Sequence, residues 1–310
     1  MSAMEKLKQR IVAWADRTSD VRAVIVIGSR ARVNDRPADE YSDLDLLLLA
    51  DHPARYIHSE EWLDAIGTPV VTFLEGAISG SKERRVLFAD ALDVDFNFLP
   101  ANQWRWLNRY MRLKSQSPFL TKLVPAKLRR EIETGIAVLG SVVKRGYSVL
   151  LDKEGLTQQI PKIPPHRRMN LVPSEPEARN AIGDFWYHAL WTAKKLRRGE
   201  LLVAKHGVDG YLKMRLYRAA EILAVATYGP EYDTWHDLRF FEQWADPTTV
   251  ANLPRLYAHY DEGEMNRALL ATMSVYGRVT RDAFSRLGYQ YPQAMEDEVT
   301  RLVRECLDRR

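Results

Sequence analysis

Residues 21–49 read VRAVIVIGSRARVNDRPADEYSDLDLLLL, and this stretch decides the fold of the first half of the chain. Two short apolar runs, Val24 to Ile27 and Leu44 to Leu49, are bounded by turn residues, which predicts two buried strands. The first run ends in a Gly-Ser turn at Gly28 and Ser29. Glycine allows a close backbone approach, and serine offers a hydroxyl and an amide at a predicted helix start. The turn is therefore suited to contact a phosphate group.

Two acids, Asp43 and Asp45, stand at the entrance to the second run. Residues two apart in a strand point to the same face, so the two carboxylates are predicted to lie side by side. Carboxylates this close repel each other unless a cation lies between them. Oxygen ligands suit Mg²⁺, which takes one or two carboxylates and completes its shell with water and substrate phosphate. The pair predicts a magnesium site beside a phosphate-binding turn.

The composition is that of an ordinary globular protein. The chain has 310 residues, 46% of them hydrophobic and 28% charged, which is enough for one large or two ordinary domains. The net charge of +4 fits a polyanionic ligand such as a nucleoside triphosphate, weak nucleic-acid affinity, or a solubilising surface excess. The single cysteine, Cys306, excludes a disulfide within the chain and a cysteine-based metal site.

The N-terminal residues 1–18 mix charges through an amphipathic pattern and lack the apolar core of a signal peptide. No stretch reaches the 18 or so apolar residues that a membrane span needs. These features predict a cytoplasmic protein with no membrane partner.

The rest of the chain divides into a mixed half and a helical half. Helices are predicted at 4–17, 58–67 and, as a pair, within 101–145, and strands at 68–75, 84–100 (a hairpin) and 146–155. The fold class is thus an α/β N-terminal domain, a mixed twisted sheet with flanking helices, at 1–160. A proline-rich linker at 161–176 leads to an all-α helical bundle at 177–310, which begins with a capping box at Ser174 and Glu177.

The run GSRARVNDRPADEYSDLD at 28–45 resembles the aminoglycoside 6-adenylyltransferase (streptomycin adenylyltransferase) family of the nucleotidyltransferase superfamily. The Gly-Ser turn, a gap of thirteen residues and an Asp-x-Asp are similar to the superfamily signature, and Arg30 and Asn34 follow the turn as in the family. The resemblance is dense over 22–100, fair over 146–227 and thin beyond. It implies Mg²⁺-dependent transfer of AMP from ATP to a hydroxyl of an aminoglycoside-like antibiotic such as streptomycin, with release of pyrophosphate. Such an activity confers antibiotic resistance.

A third carboxylate is needed at a site of this type, and the resemblance points to Asp95. The segment VDFNFLP at 94–100 lies where the family carries its own aspartate before an apolar run and a proline. Acids and apolar residues alternate along this strand, so Asp93 projects from the same face and is the rival. The position of Pro100 favours Asp95.

By this resemblance Asp43, Asp45 and Asp95 are the catalytic residues and the ligands of Mg²⁺, with two ions expected. Asp95 is also the candidate general base, and an acid of the helical half is the alternative.

Four residues are predicted to bind the nucleotide. Gly28 and Ser29 are expected to hold the β- and γ-phosphates, and Arg30 to add a cation. Lys194 lies in FWYHALWTAKKLRRGE at 185–200, which is similar to a helix of the family that carries a lysine at the matching place. We expect Lys194 to reach the triphosphate. The alternative is a solvated lysine that complements the helix dipole.

The sequence does not determine which molecule accepts the AMP group. By the resemblance, more acidic character is expected where this chain has Lys205, His206 and Gly210, because a binding wall for a polycation needs acids. The acids available in the helical half are Glu231, Asp233, Asp237, Asp261, Glu262 and Glu264.

Two alternatives to an antibiotic acceptor remain open. One is transfer onto RNA or a protein side chain, supported by basic clusters at 127–130, 167–168 and 194–198 that are interleaved with aromatic residues. No RNA-binding module accompanies them, so nucleic acid is not the expected partner. The other is a nucleotide-binding protein without catalysis. Zinc, dinucleotide, P-loop and serine-hydrolase motifs are absent from the sequence.

Overall fold

The computed structural model describes residues 1–32, 36–76, 82–117, 119–163 and 172–308. Contacts divide the chain into two structural units, residues 1–167 and residues 168–310. Residues 164–171, half of the predicted linker, lie outside the described residues together with Asn34, and they include the basic pair at 167–168. The substrate-binding role of the helical half stays a prediction.

The first unit is built on a six-stranded mixed sheet in the order β3-β4-β5-β2-β1-β6. The strands are β1 Val21–Ile27, β2 Leu44–Ala50, β3 Pro69–Gly76, β4 Lys82–Phe88, β5 Leu92–Pro100 and β6 Ser148–Asp152. Strands β2 and β5 run parallel, and the other neighbours are antiparallel. Its α-helices are α1 Ala3–Arg17, α2 Pro53–His58, α3 Ala101–Gln116 and α4 Ala126–Val143. The predicted α/β class is confirmed, and β6 forms one edge of the sheet.

Both faces of the central strands are covered, which explains why β1 and β2 are apolar almost throughout. One face packs against α1 and α2 through side chains that include Val24, Leu46, Phe96, Leu7, Ile11 and Tyr56. The other face packs against α3 and α4 through Ile25, Leu47, Leu49, Trp104, Ile136 and Leu139. Strand β2 therefore has no solvated face along most of its length, and a polar residue on it needs a specific reason.

The predicted helix at 58–67 is wrong in its bounds. Helix α2 starts with a proline at its first turn and ends at His58, and a 3₁₀ helix follows at Glu61–Ala65. Tertiary contacts of Trp62 explain the break between these two helices. The indole nitrogen of Trp62 donates to the carbonyls of Tyr56 and Ser59, and its ring packs on Trp14 and Tyr56.

The second unit is helical, as predicted. Its α-helices are α5 Glu175–Arg197, α6 Leu201–His206, α7 Leu212–Tyr228, α8 Phe241–Trp244, α9 Pro247–Leu256, α10 Glu262–Leu287 and α11 Gln293–Asp308. The capping box at Ser174 and Glu177 is present. Helix α10 packs against α5 and α7, and the rings of Phe185 and Tyr276 stack at its core. Among the described residues, no helix combines the length and apolarity needed to cross a membrane.

Helices α6 and α7 are separated by a π-helical turn at Gly207–Tyr211. A side chain at Gly207 would meet Thr192 of α5 at 2.6 Å, so the backbone approaches α5 closely here. Behind the turn lies Lys213, which is only 1% exposed. Its ammonium donates to the carbonyl of Val208 at 2.9 Å and to the hydroxyl of Thr272 at 2.7 Å. Burial lowers the pKa of Lys213 to about 8, against an opposing effect of Asp209.

Lys213 makes the stability of the protein depend on pH. The folded pKa of about 8 lies below the ordinary value of 10.5, so the unfolded chain binds more protons between these pH values. The free energy of unfolding, relative to that of Lys213→Met, should rise from pH 8 to about 10.5, by about 3 kcal/mol at most. Urea titrations of both proteins at pH 7 to 10 measure this difference. A difference that stays constant over this range contradicts the prediction.

Candidate active site

Backbone pairing places four side chains in one line across the sheet of the first unit. Asp95 on β5 lies opposite Asp45 on β2, and Arg85 on β4 lies opposite Asp95. On the other side, Asp45 pairs with Ile27, the last residue of β1. Directly opposed residues have neighbouring side chains, so the line is a consequence of strand order and register.

Three acids meet at this line. One carboxylate oxygen from each of Asp43, Asp45 and Asp95 lies within 4.8 Å of the others, and all three residues are partly buried. Asp93 is exposed and does not belong to this group in the described part of the chain. The structure thus brings together the three acids that the sequence singles out. Their catalytic role stays a prediction.

The Gly-Ser turn touches the acids directly. Gly28 has φ +68°, and a Cβ there would lie 1.9 Å from Oδ2 of Asp45. The next residues form a 3₁₀ helix at Gly28–Ala31. Only glycine fits between the backbone of the turn and this carboxylate, so the turn and the acids form one site.

Ser29 and Arg30 face the loop that leads to Asp43. The buried Ser29 hydroxyl donates to Oδ1 of Asp43 at 3.4 Å, a long hydrogen bond. The guanidinium of Arg30 donates to the carbonyls of Asp39, Ser42 and Asp43 at 3.0 to 3.2 Å. Arg30 therefore fixes residues 39–43 and, through them, the carboxylate of Asp43. Its predicted contact with the nucleotide remains untested.

Arg85 also lies at this cluster, although no sequence motif singles it out. Its Nη2 lies 3.4 Å from Oδ2 of Asp95, and it also pairs with Glu75 at 2.9 Å and Glu83 at 3.1 Å. The alternation along β4 contained a signal. Glu83 and Arg85 alternate with Val86 and other buried residues, which marks a polar face but does not show which strand lies beside it.

Burial raises the pKa of Asp95 to about 6. Arg85 opposes this effect, and the negative charges of Glu83 and Asp43 add to it. Like charges held together in a partly desolvated place favour either protonation or a cation between them. Three converging carboxylates offer the hard oxygen donors that a divalent ion such as Mg²⁺ prefers, so the residues present fit this ion.

Lys194 lies in the second unit, in the last turn of α5, and its side chain is exposed. Its neighbour Lys195 pairs with Glu200 at 2.8 Å. The contact of Lys194 with the triphosphate stays a prediction.

Several acids proposed for the acceptor have local partners. Asp261 caps the first turn of α10, and Glu264 pairs with Arg267 at 3.0 Å. Glu262 lies 3.8 Å from Arg197, and Asp233 accepts from the backbone of Trp235. Each of these acids therefore has a structural role, and their role in acceptor binding stays a prediction.

A mixed sheet with a Gly-Ser turn against a cluster of three aspartates is the arrangement expected of a nucleotidyltransferase. Comparison with known proteins specifies the family. The family model described as streptomycin adenylyltransferase matches residues 1–306, and the chain belongs to that family.

The curated relatives are distant but match almost the whole length of the chain. The aminoglycoside 6-adenylyltransferase of Bacillus subtilis (strain 168) is 20% identical over 294 residues, 94% of each chain. That of Campylobacter jejuni is 20% identical over 299 residues, 94% of this chain and 92% of its own. A crystal structure of an aminoglycoside 6-adenyltransferase from Bacillus subtilis aligns over both full chains with a TM-score of 0.43 and 14% identity.

Proposed function

We propose that the protein transfers AMP from ATP to a hydroxyl group of an aminoglycoside, with streptomycin as the first candidate, and releases pyrophosphate. The observation that carries the proposal is the meeting of Asp43, Asp45 and Asp95 within 4.8 Å, beside the turn at Gly28. Membership of the streptomycin adenylyltransferase family supports the reaction, and the names of the two curated relatives support the acceptor class.

Asp43, Asp45 and Asp95 would hold Mg²⁺, two ions in our proposal. Held by these carboxylates, the metal would supply the positive charge that offsets the negative charge of the triphosphate and of the departing pyrophosphate. The acceptor oxygen bonds to the α-phosphorus as the bond from that phosphorus to the bridging oxygen of pyrophosphate breaks. The hydroxyl proton passes to Asp95 in this proposal, with an acid of the helical half as the alternative base.

The turn would bind the phosphates of ATP. The backbone amides after Gly28 and the hydroxyl of Ser29 are donors at the start of a short helical turn, as phosphate oxygens require. Arg30 contributes through the loop that it holds. Because its guanidinium is already engaged with three carbonyls, its effect on nucleotide affinity is expected to be indirect.

Lys194→Ala tests the one nucleotide ligand that the second unit is proposed to supply. We expect KM for ATP to rise roughly 3- to 30-fold and kcat to fall less, because a lost phosphate contact weakens binding before chemistry. Lys195→Ala is the matched control, since that lysine already pairs with Glu200. Equal effects of the two substitutions on KM for ATP would assign the change to general charge loss.

Mass spectrometry of acceptors after incubation with the protein, Mg²⁺ and ATP tests the proposal as a whole. The panel contains streptomycin, other aminoglycosides, a lincosamide and bulk tRNA. A mass gain of one adenylyl group on streptomycin, absent with Asp43→Asn, is the expected result. A gain on tRNA alone would establish the RNA alternative. No gain anywhere, with Mg-ATP still bound, would contradict the aminoglycoside acceptor.

A further inference from the structure

Arg85 lies in the candidate site, but the reaction proposed above assigns it no role. Its guanidinium lies among three carboxylates, 2.9 Å from Glu75, 3.1 Å from Glu83 and 3.4 Å from Asp95. The contact with Asp95 is the longest of the three. The two glutamates therefore hold the guanidinium more firmly than the aspartate does.

The register of the strands imposes this arrangement. Arg85 is directly opposite Asp95, and Glu83 is directly opposite Glu75 on β3. Residues 83 and 85 are two apart, so they project from the same face of β4. The side chains of Asp95 and Glu83 are only 14% and 15% exposed, whereas that of Arg85 is 43% exposed. Asp95 and Glu83 are thus the enclosed members of the group, whereas Arg85 and Glu75, the latter 51% exposed, lie open to solvent.

We propose that Arg85 is a positioning residue for Asp95, and that Glu75 and Glu83 limit how strongly it competes with the metal for that carboxylate. The proposal rests on the metal-dependent function proposed above. A guanidinium on Oδ2 restricts the rotation of the Asp95 carboxylate, which keeps it aimed at the reacting groups. The same guanidinium is a cation beside a metal ligand, so it opposes metal binding.

The two effects predict opposite changes when the arginine is removed. Arg85→Gln should tighten binding of Mn²⁺, used as the probe metal, by roughly 3- to 10-fold, because a competing cation is gone. It should also lower kcat for AMP transfer to streptomycin by about tenfold or more, because Asp95 is no longer oriented. A merely structural role would weaken metal binding and lower activity together. Arg85→Lys keeps the charge and should leave Mn²⁺ affinity near that of the unaltered protein.

The role of the glutamates is tested by a double-mutant cycle on Mn²⁺ affinity. Glu83→Gln should weaken Mn²⁺ binding several-fold, because Arg85 then engages Asp95 more fully. In the Arg85→Gln background the same change should have little effect. If Glu83 acts only as a distant negative charge, it weakens binding equally in both backgrounds, and the proposed competition is wrong.

Isothermal titration calorimetry with MnCl₂ on the full chain provides the affinities. Lys82→Gln removes a charge from the same strand but from its other face, and is expected to change neither affinity nor kcat. Circular dichroism checks that each variant is folded. Weaker Mn²⁺ binding in a folded Arg85→Gln protein would overturn the proposal. The titration needs neither nucleotide nor acceptor, so its result is separate from a failure to modify any aminoglycoside.

Discussion

Replacing Asp43 or Asp45 by Asn is expected to lower kcat for AMP transfer by on the order of 10³-fold, about 4 kcal/mol of transition-state stabilisation. An amide keeps the shape of the side chain but removes one of three converging negative charges. The proposed site should then lose affinity for a divalent ion, and with it the positive charge that we propose offsets the charge of the departing pyrophosphate. Steady-state kinetics at saturating Mg²⁺ and ATP provide the measurement. Calorimetric titration with MnCl₂ provides a second readout that does not depend on turnover.

These variants should remain folded, because each substitution removes repulsion between neighbouring carboxylates. Asp93→Asn is the matched control: it changes an exposed aspartate on the same face of β5 as Asp95, outside the cluster. Its activity should stay within about twofold of that of the unaltered protein. Full activity in Asp43→Asn would refute the proposed site, and a large loss in Asp93→Asn would show that the wrong acid of β5 has been assigned.

Gly28→Ala is expected to be nearly as damaging for activity, although it adds a single methyl group. The new carbon would lie 1.9 Å from Oδ2 of Asp45, so either the turn or the carboxylate must move. Since a displacement of about 1 Å among reacting groups costs roughly 10²-fold in rate, we expect kcat/KM to fall by that order. The backbone also has φ +68°, which adds about 1 kcal/mol of strain for alanine.

The Gly288→Ala variant distinguishes the effect of backbone strain from that of the steric clash with Asp45. Gly288 has φ +72° at the end of α10, and nothing lies within 4 Å of the position of its Cβ. This variant should lose about 1 kcal/mol of stability and keep its activity. Comparable activity losses in both variants would mean that backbone strain, and not the contact with Asp45, explains the result. Urea unfolding and kinetics on the same preparations make the comparison.

Local sequence patterns were sufficient to predict most of the helices and strands. The apolar runs of β1 and β2, the alternation along β5 and the capping box of α5 are short-range signals, and each predicted its element within a few residues. The break after α2 was not predictable in this way. It depends on the indole of Trp62 bonding to backbone carbonyls and packing on Trp14 of α1, which is distant in the sequence.

The residues of the candidate site likewise fall into those that local sequence patterns predict and those that they do not. The Asp43-x-Asp45 pair and the glycine of the turn could be found from the sequence because their relation is local: a period of two in a strand and a residue that tolerates positive φ. Asp95 needed the family resemblance. Arg85 was not found at all, because its importance depends on β4 lying beside β5 and on Arg85 being opposite Asp95 in the register. The predicted contact of Arg30 with the nucleotide stays a prediction, and its bonds to the carbonyls of Asp39, Ser42 and Asp43 became visible only in the tertiary structure.

The sequence by itself determined most of the secondary structure of the mixed half, the helical character of the second half, and the pairing of a Gly-Ser turn with two aspartates. These features depend on residues close together in the chain, whose periodicity and conformational limits are readable one segment at a time. The tertiary structure alone decided that β5 runs parallel to β2, which brings Asp95 into the cluster and leaves Asp93 outside it. Strand order and register arise from the packing of distant segments, and no local pattern encodes which carboxylate will face which arginine.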